Sequence, residues 1–395
     1  MARRANIAPL DACSRQNSDV GPDITGYGRL AEASFGAAPT LLPPLGESHD
    51  LINPLALGCW RPRRHAAVRP DWRERWLSDG DRFRGSAWTS VGIGQIPQVA
   101  SGYHPRGLCL IYGCAMRSFQ AGDVAGWVRT GAESRQVLLL HGGPGVPFGY
   151  MAGLADALPG WTCATFQQRG RRPSTTDGPF DIPTAIVDVR EVLDHLGESG
   201  WDRPFVAGHS WGGHLAWHVA VTLGDRVAGV LAIDPLGVVG DMGVAAYEAE
   251  LRRRVLTRHQ DRLGELDDLA DDGGLTADEG REMGGLLWPG LFAHPDDMLP
   301  FPDVEPNRRV FDDLSESARS HRHDLERSLP SVTVPVGAVV GSASPFPASA
   351  ARQATALVPG GWSQVVDGAG HFVWHERPDA IGVALSRLTD GRHRT

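Results

Sequence analysis

Residues 204–223 place the tightest limit on what this chain can fold into. A short apolar strand is predicted over 204–207; it breaks at Gly208, and a helix over 211–223 follows almost at once. The junction reads Gly208-His209-Ser210-Trp211-Gly212, with Gly213 next. A crossover this sharp needs glycines, which accept backbone shapes and close approaches that a side chain forbids. It also presents its central residue at the apex between strand and helix, and that residue is Ser210. A strand feeding directly into a helix belongs to a layered strand–helix architecture.

The same alternation runs through the chain from about residue 115. Residues 118–129 predict two short strands joined at Ala121-Gly122-Asp123. Gln136–Leu140 and 161–166 are continuous apolar runs, as expected of strands covered on both faces. Residues 183–196 place Ile186, Val189, Val192, Leu193 and Leu196 at helical spacing. Further strands are predicted at 227–233 and 334–340. The pattern implies an α/β fold, a mostly parallel central sheet flanked by helices. Residues 238–329 lack a strand pattern: 245–256 and Ala277–Leu287 read as helices, and Pro289, Pro295, Pro300, Pro302 and Pro306 break up the rest. Their position predicts a helical cap inserted after the strand that ends at Asp234, leaving 115–237 and 330–395 as the core. Residues 1–114 are rich in Pro, Gly and Arg and show no period. They are expected to form a poorly ordered N-terminal segment, because they bury too little apolar surface to offset backbone entropy.

Composition narrows the chemistry. An apolar fraction of 42% suffices for a sizeable core, and a net charge of −9 argues against nucleic acid or an anionic membrane as partner. Lysine is absent, which removes Schiff-base and phosphate-loop lysines from consideration. Five cysteines without a CxxC pair suit a reducing compartment better than a disulfide framework or a zinc site. Arg3 and Arg4 are followed by no sustained apolar run, and no stretch approaches the roughly 20 apolar residues of a membrane helix. The expectation is a cytoplasmic protein acting on a small molecule, with neither cofactor nor metal.

Ser210 is the candidate nucleophile, and a serine hydroxyl needs a base and an oxyanion site. His141-Gly142-Gly143-Pro144-Gly145 follows the strand Gln136–Leu140 directly. A glycine turn there offers a backbone N–H near the nucleophile, expected from Gly143, and Trp211 supplies the second. His141 is expected to bond within its own turn. Gly368-Ala369-Gly370-His371-Phe372 places a histidine on a late loop, where neutral imidazole can take the serine proton and return it to the leaving group. His375 is the rival base.

With HGGPG at 141–145, QRG at 168–170, GHSWGG at 208–213, and Gly370-His371-Phe372 leading to His375-Glu376-Arg377-Pro378, the chain resembles the α/β-hydrolase superfamily, in its proline iminopeptidase-like branch. The resemblance covers roughly 115–392 and implies the α/β-hydrolase fold and a Ser–acid–His triad. Two positions depart from it. Gln167 stands where the family's DQRG element has aspartate. Gly341-Ser342-Ala343-Ser344 stands where its catalytic aspartate closes a G-x-x-D turn. Asp234 is then the expected acid, since it ends a strand adjoining the nucleophile strand. The haloalkane dehalogenases are similar in placing an acid there; Asp367 is the alternative. The expected function is hydrolysis of an ester, lactone or amide through an acyl-enzyme on Ser210. The resemblance also implies an N-terminal exopeptidase, which would grip an amine with cap carboxylates, for which Glu248, Glu250, Glu265 and Glu279 are available. A non-catalytic ligand-binding protein is the alternative of a different class.

Overall fold

The computed structural model describes residues 116–131, 134–302 and 307–391, so the expected segment 1–114 lies outside the described residues. The described residues begin with the hairpin β1 (Met116–Ala121) and β2 (Val124–Arg129), then β3 (Gln136–Leu140), α1 (Met151–Asp156) and β4 (Thr162–Gln167). Next come α2 (Ile182–Glu198), β5 (Phe205–His209), α3 (Trp211–Thr222) and β6 (Gly229–Ile233). The long connection that follows carries α4 (Val244–Arg254), α5 (Gln260–Asp271), α6 (Ala277–Leu287) and α7 (Arg308–Ser328). The chain returns through β7 (Val336–Gly341), α8 (Ala348–Ala356), β8 (Trp362–Val366) and α9 (Asp379–Gly391).

The strands form one eight-stranded sheet in the order β1-β2-β4-β3-β5-β6-β7-β8. β2 runs antiparallel to both its neighbours, and every later pairing is parallel. Side chains alternate across a strand, so a strand between two helical layers must be apolar at every position. Here Val137 and Leu139 enter one core cluster while Leu138 and Leu140 enter the other. Leu231 and Ile233 face the first cluster, and Val230 and Ala232 the second. The helices α4 to α6 join the first cluster through residues such as Tyr247, Leu251, Leu266 and Leu287, together with Phe372 of the loop after β8. That side of the sheet therefore carries the first three helices of the excursion and the loop of His371, while α7 places Leu325 in the second cluster.

Helix α7 lies just beyond the prolines that predict broken structure. Asn307 caps it by accepting from Val310 N at 3.3 Å, and Val310, Phe311, Leu314, Ser317, Ala318 and Leu325 are buried along one stripe. The stripe is narrow among many charges, which is why composition alone conceals it. β8 is likewise hidden, because it lies at the sheet edge with Gln364 and Val365 exposed.

Candidate active site

The turn between β5 and α3 shows why its glycines are needed. Ser210 has φ +55° and ψ −119°, in the positive-φ region that side chains disfavour. A Cβ on Gly208 would overlap the Gly212 carbonyl, and one on Gly212 the Leu140 carbonyl. The turn is held to the neighbouring strand by Ser210 N donating to Ile233 O at 2.9 Å. Trp211 is the first residue of α3, so its N–H has no acceptor within its own helix. Ser210, Trp211, Gly143 and His371 all line one cavity of about 720 Å³.

Asp234 follows β6 directly, is 0% exposed, and adopts φ +45°, a conformation aspartate tolerates better than most residues. Its Oδ2 lies 2.5 Å from His371 Nδ1. The same oxygen accepts from Ser344 Oγ at 2.5 Å, and Oδ1 accepts from Gly341 N at 3.1 Å. The Ser344 hydroxyl is oriented in turn, because Phe346 N donates to it at 3.0 Å. The turn that lacks an aspartate thus lies beside the aspartate of the preceding strand and bonds to it. Asp367 does not meet His371; it is exposed and accepts from Ser342 Oγ at 3.3 Å. His375 Nε2 donates to Asp297 O at 2.6 Å. Among the described residues no hydrogen bond joins Ser210 Oγ to His371. Such bonds are commonly long before substrate binds.

A second network surrounds the first. His141 Nε2 accepts from Gln168 N at 3.0 Å, so Nδ1 carries the proton and donates to Gly142 O at 2.7 Å. Burial lowers the His141 pKa to about 4, which keeps it neutral. Gln167 accepts from Phe148 N at 3.1 Å and donates to Val146 O at 3.1 Å, pinning the glycine turn as an uncharged group can. Gln168 Oε1 accepts from the Trp211 indole at 3.0 Å, and Arg169 forks onto buried Asp188 of α2 at 2.7 and 2.6 Å. Sequence reasoning did not single out His209 or Tyr150. Gly142 N donates to Tyr150 Oη at 2.5 Å, and Tyr150 Oη lies 3.0 Å from His209 Nδ1. His209 Nε2 donates to His371 O at 3.1 Å, so Nδ1 is its acceptor and the tyrosine is the donor. Burial, and after it the nearness of His371, hold the His209 pKa well below 6.5. The only sequence signal for His209 is its place inside the Gly-x-Ser-x-Gly turn.

Among the described residues no cluster of three or more His, Cys, Asp or Glu is placed to hold a metal, and no helix is long and apolar enough to cross a membrane.

The profile of the alpha/beta hydrolase family matches residues 137–382. Epoxide hydrolase A of Mycobacterium tuberculosis is 26% identical over 298 residues, covering 65% of this chain and 90% of that relative. Epoxide hydrolase 1 of Caenorhabditis elegans is 29% identical over 99 residues, and the match spans only 24% of that relative. Among solved structures, the proline iminopeptidase of Mycobacterium smegmatis superposes with a TM-score of 0.50 at 21% identity, covering 70% of this chain and 98% of the other; at that identity the likeness speaks for the fold alone. With the sheet order, the strand–Ser210–helix turn and a profile match extending from β3 into α9, the chain belongs to the alpha/beta hydrolase family.

Proposed function

We propose that the chain hydrolyses an ester, lactone or amide of a small molecule through an acyl-enzyme on Ser210. The observation that carries the reading is the buried Asp234 at 2.5 Å from His371 Nδ1, with His371 and Ser210 on one cavity. A carboxylate there accepts the Nδ1 proton and leaves the Nε2 lone pair free to take a proton from serine. Ser210 Oγ then attacks the carbonyl carbon while its proton passes to His371. The negative charge on the carbonyl oxygen is met by the amides of Gly143 and Trp211. Collapse of the tetrahedral species breaks the bond to the leaving group, which takes the proton from His371. Water repeats the sequence on the acyl-serine and regenerates Ser210.

The epoxide hydrolysis for which the sequence relatives are named does not suit a serine nucleophile. A serine oxygen that opened an epoxide would form an ether, which water does not cleave at His371, whereas an acyl-serine is an ester that it does. A serine therefore suits carbonyl substrates.

The N-terminal exopeptidase reading has one supporting observation. Glu248 of α4 lines the cavity and is buried, where a carboxylate can meet an amine. Burial raises its pKa to about 7, which leaves it only partly charged near neutrality and weakens that reading.

The test is a fluorophosphonate probe, followed by a hydrolysis screen across aryl esters, lactones and prolyl amides. Labelling of the wild type that is lost in Ser210→Ala is expected. An unlabelled, folded wild type would return the chain to the ligand-binding class.

A further inference from the structure

The cavity that holds Ser210 and His371 also receives Ser315, Arg319 and Arg322 from α7. Spacings of four and three residues put these on one face of the helix. Ala318, within the same stretch, packs in a small cluster with Trp211, Val310 and Leu314. The cationic face of α7 therefore begins beside the residue that follows the nucleophile. A cavity of about 720 Å³ accommodates a molecule large enough to reach from one to the other.

The acidic groups of this cavity have partners of their own. Asp241 accepts from Gly243 N at 3.0 Å and Ala245 N at 2.9 Å, and Asp156 pairs with Arg129 at 3.3 Å. Glu248 lies 4.0 Å from Arg252. The cations are differently placed. Arg319 pairs with Glu316, but the Glu316 side chain is 66% exposed and its charge is screened by water. The Arg319 side chain is only 28% exposed, and burial pulls its guanidinium down to about 10. Arg322 has no salt-bridge partner among the described residues. Its Nη2 meets only the adjacent His323 ring, at 2.7 Å, and its Nε is buried without an acceptor. Arg319 and Arg322 both line the cavity, and a carboxylate offers the two oxygens that a guanidinium fork fits.

We propose that Arg322, with Arg319 one turn before it, forms an anion subsite, and that the substrate cleaved at Ser210 carries a carboxylate on the part of the molecule that reaches α7. The identity of the substrate rests on the serine-hydrolase reading; the subsite does not.

The experiment is calorimetric titration of the whole chain with 4-phenylbutyrate and with its neutral counterpart 4-phenylbutanamide. The acid should bind about tenfold or more tightly than the amide, as expected of a charge-assisted pair away from bulk water. Arg322→Gln should erase that preference, and Arg322→Lys should keep part of it. Binding of the amide to each variant reports that the cavity is intact. Equal binding of acid and amide by the wild type, or binding of neither, overturns the subsite. So does a preference that survives in both Arg322→Gln and Arg319→Gln. Turnover is then compared for monophenyl glutarate and its neutral methyl ester. The anionic ester should have the higher kcat/KM, and the ratio should fall in Arg322→Gln. A carboxylate preference in binding, with neither ester cleaved and no fluorophosphonate label, would sink the serine reading and leave the subsite standing.

Discussion

Asp234→Asn is the substitution that tests the assembled site most directly. The Asp234 carboxylate accepts three donors: His371 Nδ1–H and Ser344 Oγ–H at Oδ2, and Gly341 N–H at Oδ1. An amide of the same shape has one acceptor and one donor end, so it cannot satisfy all three. If its oxygen faces His371 and Ser344, its NH2 confronts the Gly341 N–H. The buried donors left unmet then cost about 1–3 kcal/mol. If its NH2 faces His371, Nδ1 must accept, the imidazole proton moves to Nε2, and no lone pair remains for Ser210. The first cost biases the side chain toward the second, inactive arrangement, and neither supplies charge to the imidazolium. The expected loss is on the order of 10⁴ in kcat, about 5 kcal/mol in the barrier. Turnover of an aryl ester accepted by the wild type is the assay, with circular dichroism and a thermal melt to show that the fold persists. A folded Asp234→Asn variant within about tenfold of wild-type kcat would refute the reasoning.

Other outcomes follow from the same geometry. Ser210→Ala and His371→Ala should each lower kcat by about 10³-fold or more with the fold intact. His375→Ala should stay near wild type, because its ring is spent on the Asp297 carbonyl, and the reverse pattern would reassign the base. Ser344→Ala removes a donor from Asp234 and should cost roughly tenfold in kcat, about the worth of one bond to a charged group, with Ser344→Thr restoring most of it; an unchanged kcat would show that the bond has no part in catalysis. Burial lowers the pKa of His141 and of His214 to about 4, and that of His209 and His218 to well below 6.5. Over that window the unfolded chain binds more protons, so stability should be complete above about pH 6.5 and fall as the pH drops toward 4, by up to ~3 kcal/mol for each group taken to about 4. Glu248, raised to about 7, acts in the opposite sense. In urea melts between pH 7 and pH 4.5, wild-type stability should therefore fall more steeply than that of His214→Gln, and parallel curves would contradict the assignment.

The strands that build the sheet centre were legible because burial on both faces forces unbroken apolar runs, as in Gln136–Leu140. The turn at Ser210 was legible because its glycines are sterically required. The edge strand β8 and helix α7 were not, since one is half solvated and the other shows only a thin apolar stripe amid charge. Asp234 came within reach of inference only through an absence at 344 and a strand end beside the turn that carries Ser210. What no pattern announced was the set of supports: Tyr150, His209, Ser344 and Gln167 act through contacts between segments far apart in sequence. Polar residues of this kind carry no periodicity. Their role exists only once the sheet has brought their segments together.

The position of Asp234 has a consequence for how such a chain can diversify. Ser210 and Asp234 stand at the ends of adjacent parallel strands, joined by α3 alone. The excursion through α4, α5, α6 and α7 departs only after both are in place. Lengthening, shortening or exchanging that excursion leaves the chain path between these two residues untouched. Were the carboxylate instead at the end of β7, every such change would fall between it and Ser210. Here only His371, with Gly341 and Ser344 that brace the carboxylate, must be recovered from the far side. The arrangement separates the short path from Ser210 to Asp234 from the excursion that lines much of the cavity, so change in what the cavity admits need not alter the spacing of these two residues.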